Sequence, residues 1–194
     1  MRATERREQL LDVTTELIVE RGFHGASVEA VAQRAGITRA VIYQHFGDRQ
    51  ALLEKVVDRE MTRAQSQVSE TAMADLSEGD AHELMLESLE AFLRAVHDHP
   101  RTWRLVLMPP EGAPETLRLA IARGRRAVLA KLARAVRPAL RGGDDDDDAE
   151  LTARVLSAIS DEYARLVLTD AERFTPERLL RHARRWLEQA SFGV

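Results

Sequence analysis

Apolar residues return every three or four positions along almost the whole chain, and no stretch alternates apolar and polar cleanly enough to make a strand. Leu10, Leu11, Thr14, Leu17 and Ile18 fall at the spacing of a first helix, which Gly22 is placed to stop. Ser27 can cap a short second helix over residues 28–34, with Val28, Val31, Ala32 and Ala35 apolar. Gly36 breaks it. Thr38 can cap a third helix, Arg39 to His45, in which Val41 and Ile42 are apolar. After Gly47, Asp48 stands as the N-cap of a long fourth helix through Leu52, Leu53, Val56, Val57, Met61, Ala64 and Val68.

Longer amphipathic segments follow. Asp80-Ala-His-Glu83 has the form of a capping box and opens a fifth helix on Leu84, Met85, Leu89, Phe92, Leu93 and Val96. Pro100 begins a short sixth, which Pro109-Pro110 ends. Leu117, Ile121, Val128, Leu132 and Val136 mark a seventh, stopped near Pro138. Leu151, Val155, Ile159, Leu166 and Val167 mark an eighth. Thr175-Pro176 opens a ninth with Leu179, Leu180, Ala183, Trp186 and Leu187. The pattern predicts an all-α chain of about nine helices with no internal repeat. Three short helices with tight glycine turns precede a boundary near residues 47–55. The expected division is therefore a head at 1–50 and a larger helical bundle at 51–194.

Composition narrows the chemistry. The chain has 194 residues, 44% of them apolar, enough for one or two domains with a real core. It has no Cys, which removes disulfides, thiolate metal sites and a cysteine nucleophile. The start, Met1-Arg-Ala-Thr-Glu-Arg-Arg, does not lead into a signal-peptide apolar stretch. No run approaches the roughly 18 apolar residues of a membrane span. The expectation is a cytoplasmic protein with no membrane partner. There is no Gly-rich phosphate loop, nucleophile elbow or catalytic carboxylate pair, so neither an enzyme nor a cofactor is expected. No metal site is expected either. His97 and His99, two residues apart, do not share a helix face. Asp144–Asp148 lacks the alternating ligands of a calcium loop and reads as a solvated loop of like charges.

The informative segment runs from Gly22 to Leu53: helix, short glycine turn, helix. This is the helix-turn-helix layout, in which the second short helix enters the major groove of DNA. Gly36 permits the sharp turn, and Val31, Ala32, Ile37 and Ile42 can bury the helix crossing. The N-terminus after Thr38 can approach a phosphate. Residues 1–50 balance seven Arg against seven acids, a neutral head. The stretch from 30 to 47 carries Arg34 and Arg39 and no acid, and Arg2, Arg6 and Arg7 can form a basic arm.

The string Ile37-Thr-Arg-Ala-Val-Ile-Tyr-Gln-His-Phe-Gly-Asp-Arg-Gln-Ala-Leu-Leu53 resembles the DNA-binding domain of the TetR family of bacterial transcriptional regulators. Its most specific part is Tyr43-Gln-His-Phe46 followed by Arg49 and Leu52-Leu53. Arg21-Gly-Phe-His-Gly-Ala-Ser27 and Val31-Ala-Gln-Arg-Ala-Gly36 agree upstream, so the match covers about residues 5–55. The resemblance implies that Tyr43, His45, Ser27, Thr38 and Arg49 contact the DNA backbone, while Arg39, Ala40, Val41 and Gln44 face base edges. Arg would pair with G, Gln with A, and the Ala or Val methyls with a T methyl. Glu29 stands where family members use a base-reading side chain, and its carboxylate could accept from a C amino group.

Beyond the head, the resemblance implies a pocket for a small apolar or amphipathic effector, with Phe92, Trp103, Met108 and Tyr163 as candidate lining. It also implies a four-helix interface between two copies, with Leu151, Val155, Ile159, Leu179, Ala183 and Trp186 as candidates. The expected protein is a homodimeric, ligand-responsive repressor on a pseudo-palindromic double-stranded DNA operator, in which the fourth helix links effector to head. The alternative is a helical ligand-binding or scaffold protein whose head does not bind DNA specifically. The neutral head and Glu29 keep it open.

Overall fold

The computed structural model describes residues 3–70, 81–139 and 145–191. The elements are α1 (Ala3–Gly25), α2 (Val28–Ala35), α3 (Arg39–Phe46), α4 (Arg49–Glu70), α5 (Ala81–Asp98), α6 (Pro100–Leu107), α7 (Glu115–Val136), a 3-10 turn (Arg137–Ala139), α8 (Asp145–Thr169) and α9 (Pro176–Ser191). The fold is all-α among the described residues, as the periodicity predicts. None of these helices is long and apolar enough to cross a membrane. The capping box expected at Asp80 lies outside the described residues.

Local chemistry sets most boundaries. Ser27 Oγ accepts the Ala30 N–H at 3.1 Å and starts α2. Gly36 ends it in the left-handed region, φ 65°, so that Gly36 N–H reaches Gln33 O and Ile37 N–H reaches Ala32 O. Asp48 Oδ1 accepts the Ala51 N–H at 2.8 Å and starts α4. Thr38 departs from expectation. It sits at the N-cap of α3, but its hydroxyl makes no capping bond. Gly22, expected to stop α1, kinks it at φ 71°, ψ 175°, and one more turn follows to Gly25.

The acidic run also differs from the expected loop. α8 begins at Asp145 and takes in Asp145–Asp148, while Asp144 lies outside the described residues. Two effects outweigh the repulsion among like charges. Carboxylates in the first turn complement the positive end of the helix dipole. The next turn also places Ala149 and Ala153 at fully buried positions.

The chain divides into two compact units, Met1–Ala64 with Arg101–Ile121, and Gln65–Pro100 with Ala122–Val194. The first unit has one apolar core of α1–α4, built on Leu10, Leu17, Ile18, Val31, Ile42, Leu52 and Val56. Leu105 of α6 and Leu117 of α7 are buried in the same core. The loop between α6 and α7 docks on the kink of α1. Phe23 N–H donates to Glu111 O at 3.2 Å, and a Cβ on Gly22 would lie 3.0 Å from that oxygen. Glu60 of α4 is 1% exposed. It accepts from the Thr102 hydroxyl of α6 and pairs with Arg59 at 2.8 Å and Arg63 at 3.2 Å. Arg59 also reaches Glu8 and Asp12 of α1 at 2.9 Å each. A buried carboxylate is tolerable only with such partners.

In the second unit α5 packs against α8 and α9. Ala135, Val136 and Ala149 form a small cluster with Leu84, Met85 and Leu156 around them. Arg184 of α9 pairs with Glu83 of α5, and Arg125 of α7 with Asp161 of α8.

Candidate nucleic-acid interface

The head's apolar stripe decides which side of α3 is left open. Val31 and Ala32 of α2 and Ile42 and Phe46 of α3 are buried beneath the Gly36 turn. Thr38, Arg39, Ala40, Tyr43 and Gln44 are exposed, and Val41 and His45 are half-buried. Ala40, Tyr43 and Gln44 are spaced i, i+3, i+4 and so share one face. Tyr43 is 47% exposed. A large aromatic left this far in water has no packing role to explain it.

Phe46 goes the other way. Its ring is buried, and the Arg7 guanidinium lies 4.6 Å from its centroid. Arg7 also donates to His45 O at 2.9 Å, so this cation of the expected arm clamps the end of α3. Arg6 donates to Gln9 Oε1 at 2.7 Å. Arg2 lies outside the described residues.

Three further cations of the head are engaged as well. Arg34 forks onto Glu20 at 3.1 and 2.7 Å, and its hydrogen bond holds the Glu20 carboxyl below the usual carboxylate range. Arg39 NH1 donates to Glu29 Oε1 at 3.0 Å on the exposed side. Arg49 Nε and NH2 donate to Ala26 O at 3.1 Å and Phe23 O at 2.5 Å. Arg49 thus ties the start of α4 to the end of α1, and any phosphate contact must use its remaining N–H groups. With Arg34, Arg39 and Arg49 paired, the open face offers mainly neutral donors: the Tyr43 hydroxyl, the Gln44 amide and the Thr38 hydroxyl. Phosphate oxygens accept from such groups, and from the N–H groups at the starts of α2 and α3. The Ser27 hydroxyl still has its own proton to give while it accepts from Ala30.

The other predicted residues fall in both units. Trp103 is buried and Met108 exposed, both in the first unit. Phe92 and Tyr163, both half-buried, are in the second. The Tyr163 hydroxyl lies 2.6 Å from His182 Nδ1. Leu151, Val155 and Trp186 are exposed at 62%, 52% and 46%, and Ile159 is half-buried. Leu179 and Ala183 are buried. Among the described residues no group of three or more His, Cys, Asp or Glu is placed to hold a metal. Sequence reading missed the Glu60–Thr102 contact and the Arg7–Phe46 clamp. No periodicity signals a partner 42 or 39 residues away.

Comparison with known proteins agrees with this geometry. Residues 10–56 match the family model described as bacterial regulatory proteins, tetR family. Over 102 residues the chain is 32% identical to the HTH-type transcriptional activator FasR of Mycolicibacterium smegmatis, covering 53% of this chain and 45% of that protein. The match thus spans less than half the length of that relative. Over 149 residues it is 32% identical to an HTH-type transcriptional regulator of Mycobacterium tuberculosis, covering 76% of this chain and 68% of that one. In fold it is similar to the crystal structure of a TetR-like transcriptional regulator from Rhodococcus sp. RHA1. The TM-score is 0.73 at 22% identity, over 97% of this chain and 98% of that one.

Proposed function

Because the chain belongs to the TetR family of bacterial transcriptional regulators, we propose that it acts as a homodimer on a pseudo-palindromic operator in the cytoplasm, as a ligand-responsive repressor. The observation that carries the DNA-reading part is the open face of α3, with Tyr43 standing in solvent beside Thr38, Arg39, Ala40 and Gln44. Residues 1–50 read DNA and residues 51–194 carry regulation and dimerisation. Tyr43, His45, Ser27 and Thr38 fix the head on the phosphates. Arg39, Ala40, Val41 and Gln44 meet base edges in the major groove. Arg49 holds the turn behind them and adds what its remaining N–H groups can reach.

Dimerisation is assigned to α8 and α9, where Leu151, Val155 and Trp186 leave apolar surface in water. Two heads then meet successive major-groove faces about 34–36 Å apart, or a multiple of that. For the effector, Phe92 and Tyr163 of the second unit are the assigned contacts, suited to an apolar or amphipathic molecule. An effector releases DNA only by binding better to the state whose heads do not fit the operator. Helix α4 is the assigned lever, since it starts at the DNA side and contributes residues to both units. Repression needs only that a bound dimer occlude a promoter. FasR is named an activator, so the sign of regulation is a separate measurement, a reporter assay with and without the protein.

The test of DNA reading is selection of bound duplexes from a random pool by the purified protein. The expected result is an inverted repeat with half-sites one helical turn, or a multiple, apart. A pool with no enriched motif favours the alternative, a helical ligand-binding protein with a silent head.

A further inference from the structure

Glu29, an exposed carboxylate in the first turn of α2, faces Arg39, in the first turn of α3, at 3.0 Å. A carboxylate beside DNA repels phosphate, and a head that is already neutral gains no affinity from one. The Glu29 backbone N–H and the Arg39 guanidinium hold its carboxyl below the usual carboxylate range. Glu29 thus stands on the first turn of one helix and grips the first side chain of the next.

The grip is one-sided. Only NH1 of Arg39 donates to Glu29, and only Oε1 accepts. A guanidinium has five N–H groups, so the Nε and NH2 edge keeps the two parallel donors that match guanine O6 and N7. An exposed arginine held by nothing can swing between bases and phosphates, and swinging costs sequence discrimination. We propose that Glu29 is a positioning residue for base readout: it holds Arg39 so that its free edge meets a guanine, and it withholds Arg39 from the phosphates. The proposal rests on the head reading DNA. It makes Glu29 a determinant of specificity with no base contact of its own.

The positioning role predicts effects of opposite sign on matched and unmatched DNA. The full-length protein and its E29Q, R39A and E29Q/R39A variants are titrated by fluorescence anisotropy. The duplexes are the selected operator, the operator with each single base pair changed, and an unrelated sequence, over a range of salt. E29Q should lose roughly tenfold of its preference for one G·C pair per half-site, the same pair whose preference R39A loses. It should bind the unrelated duplex as tightly or more tightly, with a salt dependence steeper by about one phosphate contact for each head, as the released Arg39 finds phosphate. In the R39A background E29Q should change base preference no further.

Three results overturn the proposal: E29Q leaves every base preference intact; E29Q alters preference at a different pair from R39A, with the effect persisting in the double variant, so that Glu29 reads a base itself; or E29Q weakens matched and unmatched duplexes equally. In all three the wild-type protein still prefers its operator, so DNA reading stands. A wild-type protein with no preferred duplex sinks that reading instead.

Discussion

Tyr43 and Phe46 stand three residues apart on an eight-residue helix and do opposite things. Phe46 continues the apolar stripe through Ile42 into the core, whereas the Tyr43 ring is left in water. A hydrogen bond from its hydroxyl to a charged phosphate is worth about 1.5–3 kcal/mol. The Y43F variant should therefore lose about tenfold or more in operator affinity by mobility shift while its thermal unfolding stays unchanged. Equal affinity would remove Tyr43 from the interface. The burial of Phe46 follows from the apolar stripe through Ile42, whereas a phosphate contact by Tyr43 is implied by the family resemblance and not by periodicity. The pairings of the arginines were not legible in the sequence. Arg49 and Arg39 have partners 23, 26 and 10 residues away across turns, and a charge pattern read along the chain cannot tell a paired cation from an open one.

Among the elements, the short helices and their glycine turns were legible, because capping and left-handed turns are local chemistry. The docking of the α6–α7 loop on the kink of α1 was not, since it joins Phe23 to Glu111. That contact gives Gly22 two reasons to be glycine: a φ, ψ pair that side chains avoid and a carbonyl where a Cβ would sit. G22A should cost about 1–3 kcal/mol of stability, measured by urea unfolding, from backbone strain alone or more with the clash. An unchanged midpoint would mean that the kink is not held in solution. Glu60 joins α4 to α6 in the same unit. Removing one member of a buried ionic cluster costs about 3–5 kcal/mol. The lower end is expected for E60A, because Arg59 keeps Glu8 and Asp12. A melting temperature equal to wild type would contradict that role. The acidic run was misread because like-charge repulsion was weighed without the helix dipole and the buried alanines that follow it.

At the scale of the molecule, the apolar stripes of α8 and α9 were visible in sequence, but not which residues each side would claim. With Leu179 and Ala183 buried, Leu151, Val155 and Trp186 are the exposed residues of the proposed dimer face. A double charge substitution, L151E/V155E, should convert a dimer to a folded monomer in sedimentation at micromolar concentration and weaken operator binding with it. A wild-type monomer would contradict dimerisation through this face. Residues 101–121 pack with the head although they lie far along the chain, and nothing in an amphipathic helix names the partner of its apolar side. All of this depends on α3 reading duplex DNA. The most direct test is titration of the purified full chain against its selected duplex and a scrambled one at low and physiological salt. The prediction is a preference of about a thousandfold or more for the selected duplex at physiological salt. Failure to bind any duplex, even at low ionic strength, would contradict it.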